Sequence, residues 1–290
     1  MKKRLVQSAN LDSLNFQKKE AKRQKIEQAE AMAAAAHREE ILSREPEPHP
    51  FAPRIPLYLR PATENDAQHI ANIYNHYVVN SIVPEDHEPL ETKDILSTMR
   101  TLRSEQIPFI VAVRGRLPQQ SQSSRHVNLP QFENIVGFAF GEHRNYGLKG
   151  LATGRSRFSA NLHLYVHHEN TRQGIGRCLL DRLLQIMSYS YAGKDGYDWI
   201  NHTNDPSYEI GRGGRCYEAF FQLPIIAEQE KTKDPNYEWI KAFLGKFYFV
   251  ESARILCDGR SNNISGNGKW LDVVHFQLET TNTKDIEPFA

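Results

Sequence analysis

Cysteine is scarce in this sequence: Cys178, Cys216 and Cys257 are the only three in 290 residues, far apart and without a Cys-x-x-Cys pair. Such spacing excludes a disulfide framework and a structural zinc site, and it suits a reducing compartment. Long apolar runs are missing as well; none approaches the roughly 20 residues needed to span a bilayer. Excess charge of either sign is absent, with 36 basic and 35 acidic residues giving a net +1. Near-neutrality argues against nucleic acid as the main partner, because neutralising phosphates needs a basic surface. No apolar segment follows Met1-Lys2-Lys3-Arg4, so a secretory signal is not expected. These absences lead to the expectation of a cytoplasmic protein with neither membrane nor nucleic acid as partner. Its 39% hydrophobic content suffices for one sizeable core with additions.

The first fifty residues stand apart. From Phe16 to Arg44 the chain is rich in Lys, Glu, Gln and Ala, all strong helix formers, but its apolar residues are too irregular for a core-facing stripe or a heptad. Glu45-Pro46-Glu47-Pro48-His49-Pro50 then ends any helix. Residues 1–50 therefore read as a charged helical extension with a stiff linker. The run from Lys18 to Lys25 reads as an exposed helix face; read as an import signal, it would leave a nuclear location open.

From Ile55 the pattern is that of a folded domain, expected over 55–282. Leu57-Tyr58-Leu59-Arg60 reads as a strand. Thr63, with Asp66 three residues on, reads as the N-cap of a helix carrying Ile70, Ile73, Tyr74 and Tyr77. Helices are expected over Thr92–Arg103, from Gly174 to Tyr189 and from Tyr237 to Lys246. Strands are expected at Phe109–Val113, Ile135–Phe140, Phe158–His167, Tyr197–Thr203, Phe247–Leu256 and Trp270–Leu278. Residues 115–132 and 205–233 read as insertions. This order describes an α/β domain, a mixed sheet with helices on both sides.

The densest signal runs from Leu162 to Arg177, where a strand enters a polar loop with Gly174 and Gly176 and then opens an amphipathic helix. Glycines let the backbone approach a phosphate, and the first N–H groups of a helix have no intrahelical partner. Arg172 and Arg177 add charge at either end. A tight turn with close helix packing would produce the same residues.

Taken with its neighbours, this segment resembles the acetyl-CoA-binding motif of the GNAT acetyltransferases: Arg or Gln, two free positions, Gly, one free position, then Gly or Ala. Further stretches are similar to the phosphinothricin N-acetyltransferase branch: Leu59–Ala67, Ile73–Val78, Glu88-Pro89, Asn204-Asp205-Pro206-Ser207 and Gly268–Val274. The resemblance covers roughly 57 to 279 and implies the GNAT fold, a mostly antiparallel mixed sheet flanked by helices, with acetyl-CoA as acetyl donor; no metal is expected, because the adjacent His167 and His168 would point to opposite faces of a strand. It implies that Leu164, Tyr165 and Val166, with Arg172, Gln173, Gly174, Ile175, Gly176 and Arg177, hold the pantetheine arm and diphosphate in a gap between strands four and five. A backbone N–H near Tyr165 or Val166 would polarise the thioester, and Asn204 would touch the cofactor arm. Three positions depart from the family: Thr171 stands at the first motif position, Asn161 where a carboxylate base is usual, and Leu244 where a tyrosine or histidine would protonate the thiolate.

Strand alternation puts Asn161, His163, Tyr165 and His167 on one face. His163 is then the candidate base, or else a half-buried structural histidine. Glu88, in the run Glu85-Asp86-His87-Glu88, is the second catalytic candidate, the alternative being a solvated loop. Tyr208, Tyr237 or water are candidates for the thiolate acid, and Arg144 and Tyr146 for substrate contacts. The function implied is acetyl transfer to a primary amine of a small molecule: an amino acid, an analogue or a xenobiotic amine. A protein or peptide acetyltransferase and a catalytically degenerate CoA-binding sensor or scaffold are the alternatives, and a homodimer is compatible with each.

Overall fold

The computed structural model describes residues 49–117, 133–145, 156–212, 216–227, 236–261 and 267–280, with single positions between them and parts of 20–38. Among the described residues, eight strands form one sheet: β1 (Leu57–Pro61), β2 (Phe109–Arg114), β3 (Asn134–His143), β4 (Ser159–Val166), β5 (Asp198–Trp199), β6 (Glu218–Ile226), β7 (Val250–Arg260) and β8 (Trp270–Glu279). Their order is β5-β1-β2-β3-β4-β6-β8-β7. Neighbours are antiparallel except for β5 on β1 and β6 on β4. The helices are α1 (Ala67–Asn80), α2 (Thr92–Ser104), α3 (Ile175–Met187) and α4 (Tyr237–Gly245). None of the described helices is long and apolar enough to cross a membrane.

Alternation along the strands divides the core in two. Leu57, Leu59, Ile110, Ala112, Ala160 and Leu162 pack beneath α3, whose Leu179, Leu180, Leu183, Leu184 and Met187 are all buried. On the other face Tyr58, Val111, Val113, Phe138 and Tyr165 meet Ile70 and Ile73 of α1 and Ile95 and Met99 of α2. The expected apolar stripes of these helices are the ones buried.

A buried ion pair joins β1 to α1. Arg60, 1% exposed, donates from Nη1 and Nη2 to the two carboxylate oxygens of Asp66, at 2.7 and 2.8 Å, and its other edge meets Glu133. Asp66 also accepts from the Thr63 N–H at 2.7 Å. The expected cap is therefore a capping box that opens with a short 3-10 turn over Glu64–Asp66.

Two boundaries differ from the sequence reading. The domain starts at His49, not Ile55, because the segment before β1 is packed in place: Phe51 meets Phe247 edge-on at 5.8 Å, and the Arg177 guanidinium donates to the Ala52 carbonyl. Residues 1–48 form a separate unit, whose described positions, all within 20–38, are helical and exposed.

The second difference concerns the sheet. The strand expected at Tyr197–Thr203 is reduced to Asp198–Trp199, paired with β1 at one end of the sheet. The neighbour of β4 is β6, which lies inside the stretch 205–233 read as an insertion. A buried carboxylate on α3 explains the detour. Asp181 accepts from the Tyr191 and Tyr197 hydroxyls at 2.7 and 2.9 Å and from the Lys194 and Asp195 N–H groups at 2.9 and 3.1 Å. These bonds hold 191–197 against α3 and direct the following residues to the β1 edge. Residues 118–132, most of the other expected insertion, lie outside the described residues.

Burial raises the Asp66 carboxyl, but Arg60 and Thr63 outweigh it and hold the pKa below the usual carboxylate value. A depressed carboxylate contributes its stability above its unfolded pKa, about 3.9 for Asp, and loses it as pH falls through the folded value. Asp66→Ala, which strips one partner from a buried charge, is expected to cost about 3 kcal/mol in urea unfolding at neutral pH. The gap to the parent protein should narrow progressively in acid.

Candidate active site

The site begins where two strands part. β4 pairs with β3 from His143↔Ala160 to Gly137↔Val166, but with β6 only from Ser159↔Glu218 to Asn161↔Phe220. Beyond Asn161 both strands instead line a cleft of about 930 Å³, β4 through Leu162–Tyr165 and β6 through Phe221–Pro224. The cleft passes between the two core layers, with Ile240 and Phe243 of α4 on one side and Tyr74 of α1 on the other.

Hydrogen-bond phase fixes which backbone groups face the gap. The His167 N–H donates to the Val136 carbonyl at 2.9 Å, so odd-numbered residues of β4 bond β3 and the backbone groups of Leu164 and Val166 point to the gap. Tyr165 therefore turns its N–H to β3, and the donors facing the gap are its neighbours'. The Val166 carbonyl accepts from the Tyr77 hydroxyl. Across the gap, Thr280 N–H to Tyr217 O at 2.8 Å and Ala227 N–H to Trp270 O at 2.9 Å show that odd residues of β6 bond β8. Pro224, which has no N–H, thus faces the gap and deprives no ladder of a donor. A proline inside a strand is tolerated at such a place, and here it marks the side on which β6 has no strand beside it.

The gap opens next to the start of α3. Gly174 caps the helix with φ 86°, in the left-handed region, where a side chain is strained. The Cys178 N–H donates back to the Gly174 carbonyl at 3.3 Å, leaving the N–H groups of Ile175, Gly176 and Arg177 ahead of the helical ladder. A methyl group at Gly176 would lie 3.5 Å from Leu164 and 3.7 Å from Val166, an ordinary contact; one at Gly174 would come within 2.9 Å of Arg177. Arg172 is exposed with φ 61°. The Gln173 carbonyl accepts from the Arg54 N–H at 2.8 Å. The Ile175 side chain is buried in the core, so only its backbone faces the loop. Arg177 is committed elsewhere: its guanidinium bonds Ala52 and lies 5.3 Å from the Phe51 ring centre.

Four residues proposed from the sequence, Asn204, Glu88, Tyr208 and Tyr237, are not brought to the cleft. Asn204 follows β5, which four intervening strands separate from β6 in the sheet, because the motif that carried it belongs to the detour. Glu88 is exposed and outside the lining, whereas Glu85, Asp86 and His87 of the same run line the cleft. Tyr208 and Tyr237 spend their hydroxyls on the Phe109 carbonyl, at 3.2 Å, and on Glu251. Leu244 does line the cleft, as a buried apolar residue of α4.

His163 is where strand alternation put it. Its ring stacks on Phe140 at 4.6 Å, and Nε2 lies 3.1 Å from Glu142 Oε1. Nε2 is buried, and its contact with Glu142 is at ion-pair distance without the alignment of a full hydrogen bond. His163 draws the Glu142 carboxyl below its ordinary pKa, although burial opposes this. Asn161 Nδ2 also approaches Glu142, at 3.5 Å, while its Oδ1 is buried without a partner. Tyr74 donates to Asp86 at 2.6 Å and meets Tyr165 edge-on at 5.1 Å. Burial raises both phenols, so they stay protonated. Glu142 and Tyr74 were not singled out as site residues from the sequence, and Asp86 was seen only as a member of the acidic run. For Glu142 the signal was available: it sits at the alternate position after Phe138 and Phe140, on the face shared with His163.

No protein-family model matches the sequence, and no curated protein is similar to it. Solved structures do match the fold. An acetyl-CoA-bound protein of Salmonella typhimurium, yncA, superposes with TM-score 0.51 at 17% identity, over 78% of this chain and 95% of its own. A GNAT superfamily phosphinothricin acetyltransferase of Sinorhizobium meliloti, in complex with acetyl-CoA, gives 0.52 at 16% identity, over 81% and 94%. A ribosomal-protein-alanine N-acetyltransferase of Brucella melitensis gives 0.50 at 18% identity, over 76% and 98%. With its split sheet and its glycine-capped helix beside the split, the chain has the fold of the GNAT acetyltransferases.

Proposed function

We propose that the protein is an acetyl-CoA-dependent N-acetyltransferase acting on a primary amine of a small molecule. The observation that carries this reading is the parting of β4 and β6 beside the start of α3. The gap offers the backbone N–H and C=O of Leu164 and the N–H of Val166, which suits an arm bearing amides. The loop offers the N–H groups of Ile175, Gly176 and Arg177 with Arg172 beside them, which suits a diphosphate. The residues present thus fit a CoA thioester, and when bound it would supply an activated acetyl group.

The rest of the chemistry belongs to side chains. An acceptor ammonium must lose a proton before its nitrogen can attack. His163, whose side chain lines the cleft, takes that proton in this reading, and Glu142 at 3.1 Å steadies the imidazolium that results. The Val166 or Leu164 N–H stabilises charge on the carbonyl oxygen. Tyr165, protonated and lining the cleft on this face, returns a proton to the leaving thiolate in this reading. The departures at Asn161 and Leu244 are then met by His163 on the next pleat and by a phenol from the same strand.

Calorimetric titration with acetyl-CoA, followed by thiol release over a panel of amines, tests this reading. Binding with amine-dependent release of free thiol is expected. Binding without turnover would return the protein to a non-catalytic CoA-binding role, and no binding would end the reading. His163→Ala should lower kcat by about 10²–10⁴-fold, the usual contribution of a positioned base, with the affinity for acetyl-CoA unchanged. Gly174→Ala forces a side chain into the left-handed region, at about 1–2 kcal/mol, and should weaken acetyl-CoA binding by about tenfold in calorimetry. Gly176→Ala should bind as the parent does.

A further inference from the structure

Resting on the acetyltransferase reading, we infer that the acceptor is a cationic amine that carries no carboxylate, and so is not an amino acid. The charges around the acceptor end of the cleft point this way. Glu85 and Asp86 from the loop after α1, and Glu142 from β3, line it, and among the described lining residues there is neither lysine nor arginine at that end. A guanidinium on the same face, that of Arg144, is drawn over the Phe220 ring at 4.0 Å and lies outside the lining. Arg260, at the β7 end of the cleft, donates to the Gly268 carbonyl at 3.1 Å and lies against Trp270. Among the described residues at that end a substrate carboxylate would meet three like charges, with the imidazoles of His87 and His163 the only side chains there able to carry a positive charge.

The polar atoms that remain want donors. Asn161 Oδ1 is buried without a hydrogen-bond partner, the Glu142 carboxylate lies 3.1 Å from His163 Nε2, and all three residues line the cleft. An ammonium brings three N–H donors and no acceptor, whereas a carboxylate brings only acceptors. The walls between these groups are aromatic: Phe138, Phe140, Tyr74 and Tyr165. Rings of this kind hold an apolar body and favour a nearby cation through their faces. Specificity by exclusion follows, because an unpaired, desolvated anion is the costly element in the wrong substrate.

Matched pairs that differ only in the carboxylate test the inference: tyramine against tyrosine, agmatine against arginine and cadaverine against lysine. The measurements are kcat/KM from thiol release, and acceptor affinity from calorimetry on the protein saturated with CoA, which cannot react. In each pair the decarboxylated member is expected to be favoured by about hundredfold or more, as like-charge exclusion provides. The double variant Glu85→Gln with Asp86→Asn should shrink that ratio to within about tenfold while leaving acetyl-CoA affinity unchanged. Equal use of both members of a pair overturns the acceptor assignment and leaves the acetyltransferase reading standing. So does turnover of carboxylate-bearing or uncharged amines when none of the decarboxylated members reacts. A preference that survives the double variant in full overturns the role given to these two carboxylates. Failure to bind acetyl-CoA overturns the underlying reading itself.

Discussion

A strand that loses its neighbour in the middle of a sheet leaves peptide groups without partners, and folded proteins rarely leave such groups unsatisfied. The separation of β4 from β6 after Asn161 is the constraint around which this structure is arranged. Much of the surroundings can be read as accommodation to it. Pro224 sits where a missing N–H does no harm. The Tyr77 hydroxyl takes the last carbonyl of β4. Apolar residues of α4, Ile240, Phe243 and Leu244, form a wall beneath the opening. A ligand whose own amides continue the ladder is the natural complement, and the exposed helix start next to it extends the same logic to a charged tail.

Keeping two strands apart requires the rest of the sheet to be held firmly, and two buried ionic centres do this on opposite faces. Arg60 and Asp66 clamp β1 to α1, the helix whose following loop brings Glu85 and Asp86 to the cleft. Asp181, at the centre of α3, gathers two phenols and two backbone N–H groups and carries the chain away from the gap before β6 returns. Both are charges satisfied by several donors at once, the condition under which burial is tolerated. Position in the cleft is thus set by elements that never touch it.

How much of this could be read in the sequence depended on whether a pattern was local. The helix stripes of α1, α2 and α3, the capping residues Thr63 and Asp66, and the alternation that puts His163 opposite Leu162 are local and held. So did the fold assignment and the glycine-capped loop. β6 did not, because Pro224 and the polar flanks of Glu218–Ile226 hid it, and the neighbouring motif Asn204–Ser207 was attached to the wrong strand. Partnership across the sheet is a long-range property: nothing within 205–233 states that β4 is its neighbour. The acidic run Glu85–Glu88 was seen, but the choice among its members depends on how the loop turns after Ser81, and Tyr74 made that choice for Asp86. A proline within an otherwise apolar strand is the clue that would have helped, since it implies one bare side.

The stretch preceding β1 has a practical bearing on how the protein should be handled. Phe51 packs against Phe247, Ala52 holds the Arg177 guanidinium, and Arg54 bonds the residue just before Gly174. These few residues therefore brace the turn at the head of α3 from outside. Trimming the chain to Ile55, where the sequence alone would place the domain edge, cuts away that brace and frees a guanidinium beside the turn. A fragment intended to keep the turn in shape has to begin at His49 or earlier.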